Sequence, residues 1–84
     1  MKAYDEKINN KNIIGPRLKK ARANFNITQQ ELSVKLQILE IYIDRASISK
    51  IERQRRIITD YELIALAKVL KVSIEWLLEV ENVY

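Results

Sequence analysis

The segment that decides the fold is residues 28–53, TQQELSVKLQILEIYIDRASISKIER, which predicts two short helices joined by an apolar connection. Thr28 and Glu31 have the spacing of a capping box, in which each side chain accepts a hydrogen bond from the other residue's backbone N–H. Leu32 and Leu36 recur four residues apart, so we expect both to face a core. The first of the two helices is therefore predicted to begin at Thr28.

The second helix is predicted to begin after Asp44, whose carboxylate can cap the exposed N–H groups of the next turn. Ile48 and Ile51 lie three residues apart and are expected to point inward. The residues left on the outward face are basic, small or polar, namely Arg45, Ala46, Ser49, Lys50 and Arg53. Such a face suits the major groove of DNA, which admits one helix and presents acceptor atoms to cationic and hydroxyl side chains.

Four segments, taken in order, resemble the phage-repressor (Cro and lambda repressor) type of helix-turn-helix domain. They are residues 18–22 (LKKAR), 27–32 (ITQQEL), 43–52 (IDRASISKIE) and 66–78 (LAKVLKVSIEWLL). The resemblance implies an all-α fold, a compact five-helix bundle with a central helix-turn-helix. It also implies a sequence-specific transcriptional regulator, a repressor, with a double-stranded DNA partner, a palindromic operator and a homodimer. Its recognition helix is expected at about residues 44–53.

The sequence departs from that family pattern at two turns. Gln37 stands where the family usually has a glycine after the second helix, and about five extra residues lie between Leu36 and Ile43. The usual Asn-Gly-Lys after the recognition helix is replaced by residues 53–55 (RQR). We therefore expect that helix to end without its usual left-handed residue.

Length and composition exclude several classes of protein. The 84 residues are enough for one small domain, and a single Gly and a single Pro favour a helical bundle over a sheet. The chain has no Cys and no His, so disulfides, thiolate metal sites and a histidine base are impossible. No Gly-rich phosphate loop or signal peptide is present. We expect a cytoplasmic, non-enzymatic protein with no metal, cofactor or small-molecule ligand.

The positive charge is concentrated in the helix-turn-helix half. Residues 11–56 carry eleven Lys and Arg against four Asp and Glu, whereas residues 57–84 carry two against five. A segregated positive face attracts a polyanion, because each neutralised phosphate releases counterions. From the charge alone, the simpler interpretation is that these lysines and arginines only solvate the helices.

The chain divides into residues 1–12 as a flexible N-terminal arm, 13–79 as the DNA-binding domain and 80–84 as a C-terminal tail. Base contacts are expected from Arg45, Ala46, Ser47, Ser49, Lys50 and Gln29, of which Gln29 is assigned by the family resemblance. DNA backbone contacts are expected from Arg17, Lys19, Lys20, Thr28, Gln30, Arg53, Arg55 and Arg56. The same resemblance pairs Arg22 with Glu52 as a structural ion pair between the first helix and the recognition helix.

Two segments have both a possible core role and a possible contact role. Residues 37–43 (QILEIYI) are apolar for a loop, and their alternation predicts that Leu39, Ile41 and Ile43 fill the core, although Tyr42 could instead meet a partner. At the C-terminal end, the residues that could contact a second subunit or close the monomer core are Trp76, Val80, Val83 and Tyr84. The alternative function is an antitoxin-like or regulator-binding protein-interaction module that retains the fold.

Overall fold

The structure is a computed structural model and describes residues 9–80. This part of the chain folds into α-helices and contains no β-strand. The helices are α1 (Gly15–Asn24), α2 (Gln29–Ile38), α3 (Arg45–Glu52), α4 (Asp60–Leu70) and α5 (Ile74–Leu78). The predicted all-α fold with five helices is confirmed.

Local sequence signals set the starts of four helices. The two caps predicted from sequence, Thr28 with Glu31 for α2 and Asp44 for α3, are confirmed. Thr59 with Glu62 forms a second capping box at α4, and Ser73 caps α5. In the first, Thr28 Oγ1 accepts from the Glu31 N–H at 3.0 Å, and the Thr28 N–H donates to Glu31 Oε1 at 2.8 Å. Each cap satisfies N–H groups that the helix itself cannot.

The helix ends share one geometry that needs no glycine. A residue with φ between 58 and 62° follows each helix: Asn26, Glu40, Gln54, Lys71 and Glu79. The next N–H then donates to the carbonyl five residues earlier, as Arg55 does to Lys50 at 2.8 Å, which defines a Schellman motif. The expectation that α3 would end without a left-handed residue is therefore wrong, because Gln54 adopts that conformation.

One apolar core lies between the helices. Leu32 and Leu36 of α2 and Ile48 and Ile51 of α3 are fully buried, as the sequence predicts. The remaining core residues come from α1 and the residue before it, from the connection between α2 and α3, and from α4 and α5: Ile14, Leu18, Ala21, Ile43, Ala65, Leu66, Ala67, Leu70 and Leu77. α3 packs against both α1 and α2, so the position of α3 is set by two neighbours.

The apolar connection between α2 and α3 fills the core only in part. Ile43 is buried and its carbonyl accepts a hydrogen bond from Ser33 Oγ at 2.8 Å, which holds the connection against α2. Leu39 is 42% exposed, so its predicted place in the core is wrong. The reason is that α2 continues to Ile38, which places Leu39 at the helix end and not in an extended strand. Tyr42 projects into solvent with 73% exposure.

The packed domain begins earlier than the predicted boundary at residue 13. Asn12 is buried, and its side-chain amide donates to the carbonyls of Ile51 at 3.1 Å and Arg56 at 2.8 Å. The Lys11 N–H donates to the Gln54 carbonyl at 3.0 Å. Lys11 and Asn12 therefore belong to the domain and not to a loose arm. Residues 1–8 and 81–84, including the predicted dimer contacts Val83 and Tyr84, lie outside the described residues.

Candidate nucleic-acid interface

The outward face of α3 is basic and small at its centre. With Ile48 and Ile51 buried, the helical repeat places Ala46, Lys50 and Arg53 opposite them at i, i+4 and i+7, and all three are exposed. The other predicted base-contacting residues of α3 lie on the two flanks of this row. They are Arg45 and Ser49 on one flank and Ser47 on the other.

The Arg45 flank adjoins the start of α2. Arg45 lines an open recess together with Arg22, Ala23, Asn26, Ile27, Thr28, Gln29 and Gln30. The N-terminus of α2 therefore lies on the same side of the molecule as the outward face of α3. A helix N-terminus attracts anions through its unpaired N–H groups and its dipole. The predicted backbone contacts Thr28 and Gln30 are both exposed here.

The Ser47 flank adjoins the end of α2 and contains a residue that the sequence did not assign to this face. Ser47 and Tyr42 line a second recess with Ser33, Gln37, Ile43 and Asp44. Tyr42 projects here because Ile43 beside it is buried and held by Ser33. The sequence signal for Tyr42 was its position two residues before the Asp44 cap, and this position does not determine the direction in which the ring points.

A hydrogen-bonded network fixes α3 against α1 and α2. Arg22 Nε lies 2.7 Å from Glu52 Oε2 and its Nη2 lies 3.1 Å from Glu52 Oε1, which makes the pair bidentate. Arg22 Nη1 also donates to the Ile27 carbonyl at 3.0 Å. The hydrogen bonds that Arg22 donates to Glu52 raise the pKa of the Arg22 guanidinium and so favour its charged form.

The same network engages one predicted base-contacting side chain. Gln29 Nε2 donates to Glu52 Oε1 at 3.0 Å, so the side-chain amide of Gln29 is held beside the last turn of α3. Glu52 therefore receives donors from two helices. Within the described residues, every buried side-chain nitrogen and oxygen has a hydrogen-bond partner.

The end of α3 is also held by the segment before α1. Gln54 Nε2 donates to the Asn12 carbonyl at 3.0 Å, and Asn12 Oδ1 accepts from the Gly15 N–H at 2.9 Å. Gly15 lies so close to α3 that a Cβ on it would approach the Ile51 carbonyl oxygen to 2.6 Å. Sequence reasoning missed Asn12 because its partners lie 39 and 44 residues away.

Two predicted backbone-contacting arginines have partners within the protein. Arg17 lies over the Trp76 ring at 4.6 Å, and its Nη1 donates to the Trp76 carbonyl at 2.8 Å. Arg56 forms a bidentate pair with Glu62, both distances 3.0 Å. The Arg56 guanidinium holds the pKa of the Glu62 carboxyl below its ordinary value.

The other predicted backbone-contacting cations are exposed. Lys19 and Lys20 extend from α1, while Arg53 and Arg55 follow α3. Arg53 Nε donates to the Ser49 carbonyl at 3.3 Å, which places this guanidinium at the C-terminus of α3. Cations there also balance the negative end of the helix dipole.

The described part of the chain offers no group of three or more acidic side chains that could hold a metal ion. Within residues 9–80, no helix combines the length and apolarity needed to cross a membrane.

Comparison with known proteins gives two matches. A family model described as helix-turn-helix matches residues 18–77, which is most of the chain. Among solved structures, the chain is similar to the P22 c2 repressor protein in complex with synthetic operator 9T, with 26% sequence identity and a TM-score of 0.69. This similarity covers 82% of the present chain and 97% of the P22 chain. No curated protein sequence matches the chain.

Proposed function

The chain belongs to the helix-turn-helix family of the Cro and repressor type, and we propose that it is a sequence-specific regulator that binds double-stranded DNA and acts as a repressor. The observation that carries the proposal is the outward face of α3, where Ala46, Lys50 and Arg53 form an exposed row between the flanks of Arg45 and Ser47. The similar P22 c2 repressor protein is bound to a synthetic operator in its solved structure. This similarity supports the same class of partner here.

We propose that α3 enters the major groove and contacts the bases, and we call α3 the reader for this reason. Arg45 and Lys50 address the O6 and N7 acceptors of guanine, while Ser47 and Ser49 add lesser contacts. Ala46 is small enough for the helix to approach the bases closely and can contact a thymine methyl group. Gln29 contributes from α2, where its amide nitrogen is already held by Glu52.

The proposed backbone contacts surround this reader and carry no sequence information themselves. Thr28 and Gln30 lie at the N-terminus of α2, a position that favours a phosphate. Further contacts come from exposed cations on α1 and after α3, namely Lys19, Lys20, Arg53 and Arg55. Arg17 and Arg56 are weaker candidates, because their guanidinium groups already bond to Trp76 and Glu62.

Specific binding requires α3 to be held rigidly, because a base contact is lost when the reader shifts. The Arg22–Glu52 pair and the Gln29 amide hold its last turn, and Asn12 holds the carbonyl of Ile51. These bonds are made within the protein and so support a reader that is ordered before DNA arrives.

We propose that the chain acts as a homodimer on a palindromic site. A single module buries only about 600–1,000 Å² on DNA, so two modules are needed for useful specificity, with half-site centres about 34 Å apart or a multiple of that. Trp76 and Val80 are half-buried, which leaves part of each available to a second subunit. Ile57, Tyr61 and Ile64 are a further exposed apolar group, at the start of α4. Repression then needs only that the dimer occupy its operator.

The test is selection from a random duplex DNA library at about 0.15 M salt, near physiological ionic strength. We expect a single enriched motif with two-fold symmetry. A library that shows no enrichment, together with binding that disappears as salt rises, would mean that the basic face gives only non-specific attraction. The control is a charge-matched variant, Lys50→Arg combined with Arg45→Lys, which should keep non-specific binding and change the motif.

A further inference from the structure

A second surface of the molecule combines apolar and basic side chains on the far side of α2 from α3. An open groove of about 400 Å³ runs between the ends of α1, α2 and α4. Its apolar lining comes from Phe25, Ile38, Leu39 and Val69. Ile38 is 76% exposed and Leu39 beside it is 42% exposed, so the groove presents adjoining apolar surface to solvent.

Three lysines border this groove, and none of its lining residues is acidic. They are Lys35 from α2, Lys68 from α4 and Lys71 just after α4. Among the described residues, Lys68 and Lys71 form no ion pair, while Lys35 lies one turn from Glu31 on the same helix. We refer to this surface as the lysine-rimmed groove. Its apolar floor and cationic rim complement an acidic amphipathic segment.

The lysine-rimmed groove and the proposed DNA face lie on opposite edges of α2. The buried residues Leu32 and Leu36 form the centre of its inward stripe. On one edge, Gln29 and Ser33 bond to Glu52 and to the Ile43 carbonyl, so this edge faces α3. The helical repeat places Lys35 and Leu39 on the other edge, towards α4. An occupant of the groove would leave the DNA face uncovered.

A second copy of this chain is a poor occupant. An isologous contact through the groove would bring two sets of three lysines together, and like charges across an interface oppose association. An uncharged apolar partner would pack on the groove but would form no ionic contact with the three lysines of its rim.

We propose that the lysine-rimmed groove binds an acidic amphipathic helix from a second protein. The apolar residues of that helix, spaced at i, i+3 or i+4 and i+7, pack on Ile38, Leu39 and Val69, and its carboxylates meet the three lysines. The protein then binds DNA through α3 and a protein partner through α2 and α4 at the same time. This inference does not depend on the proposed DNA function, because the groove is tested without DNA.

The probe is a displayed library of random peptides, selected against the whole chain in the absence of DNA. We expect the enriched peptides to combine Asp or Glu with large apolar residues at helical spacing. Their affinity should fall about tenfold or more for Lys68→Glu, because a rim cation becomes a repelling anion, and also for Ile38→Ser. Both positions are exposed, so both variants should fold. The matched control is Lys11→Glu, which makes the same charge change outside the groove and should alter the affinity less than about twofold.

Three outcomes would overturn the proposal. Enriched peptides without acidic residues would remove the charge argument. Peptide affinity that is the same for the parent, Lys68→Glu and Ile38→Ser would place the peptide elsewhere. A concentration-dependent dimer that Ile38→Ser abolishes would show that a second copy occupies the groove.

Discussion

Arg22 of α1 and Glu52, the last residue of α3, form a bidentate ion pair with nitrogen–oxygen distances of 2.7 and 3.1 Å. Only 4% of the Glu52 side chain is exposed. Gln29 of α2 donates to the same carboxylate at 3.0 Å. One buried carboxylate therefore joins three helices at the point where the proposed reader ends.

Removing that carboxylate should destabilise the fold strongly. In Glu52→Ala, the Arg22 guanidinium and the Gln29 amide lose their partner, and breaking a buried pair from one side costs about 3–5 kcal/mol. Urea denaturation measures the free energy of unfolding. Glu75→Ala, at an exposed glutamate of α5, is the control and should change it by less than about 1 kcal/mol. A Glu52→Ala melting temperature within a degree of the parent would contradict this assignment.

Gly15→Ala should also destabilise the protein. An added Cβ would lie 2.6 Å from the Ile51 carbonyl oxygen and 2.8 Å from that of Glu52, so α1 and α3 must separate. Overpacking of this kind costs about 1–3 kcal/mol. The control is Asn24→Ala, an exposed position in the same helix. Equal free energies of unfolding for the two variants would show that the contact relaxes without cost.

Sequence predicted the helix starts well because their signals are local. Thr28 with Glu31 lies within one turn, as does Asp44 with the Ser47 N–H. The helix-turn-helix order was also recognisable, since it depends on spacing along the chain. The outward face of α3 followed from the helical repeat once Ile48 was assigned to the core.

The features that sequence did not predict depend on the folded context. Gln54 takes a left-handed conformation because Arg55 can then donate to the Lys50 carbonyl, a gain that no residue-type preference expresses. Asn12 is buried against residues at the far end of α3, so nothing near it in the sequence marks its role. Alternation placed Leu39 in the core, but it could not say where α2 ends.

Glu40→Gly should stabilise the protein. Glu40 has φ of 62°, a conformation that costs an L-residue about 1–2 kcal/mol, whereas glycine adopts it freely but loses more entropy on folding. We expect a net gain of about 0.5–1 kcal/mol in the free energy of unfolding, measured by urea denaturation. Glu40→Ala keeps the positive φ without the side chain and should not be stabilising. A gain shared by both variants would assign the effect to the lost charge.

The Arg56–Glu62 pair should make stability depend on acid pH. Hydrogen bonds from Arg56 hold the folded-state pKa of Glu62 below its ordinary value of 4.5, so folding favours the ionised form. The resulting stabilisation is complete above pH 4.5 and is lost as the pH falls through the folded-state pKa. The free energy of unfolding should fall less steeply below that pH for Glu62→Gln than for the parent or for Glu75→Gln. Parallel pH profiles for all three proteins would contradict this role.

Loss of Arg55 should weaken DNA binding without changing sequence preference. Arg55 is exposed just after α3. In the proposed complex it contacts a phosphate, and such a contact adds affinity without carrying sequence information. Arg55→Ala should weaken binding to all duplexes alike and lower the slope of log affinity against log salt by about one unit. A salt titration by fluorescence anisotropy on the selected site and on a scrambled site measures both effects. A loss confined to the selected site would make Arg55 a base contact.

Base reading by α3 is tested by the affinity of Arg45→Ala for the selected operator and for operators that carry single base-pair changes. We expect a loss of about 1–3 kcal/mol on the selected operator and a relaxed preference at one base position of each half-site. Lys11→Ala, at an exposed lysine outside α3, is the control and should keep the full preference. If Arg45→Ala instead loses the same free energy on every duplex and keeps every base preference, α3 does not read the sequence through Arg45 as proposed.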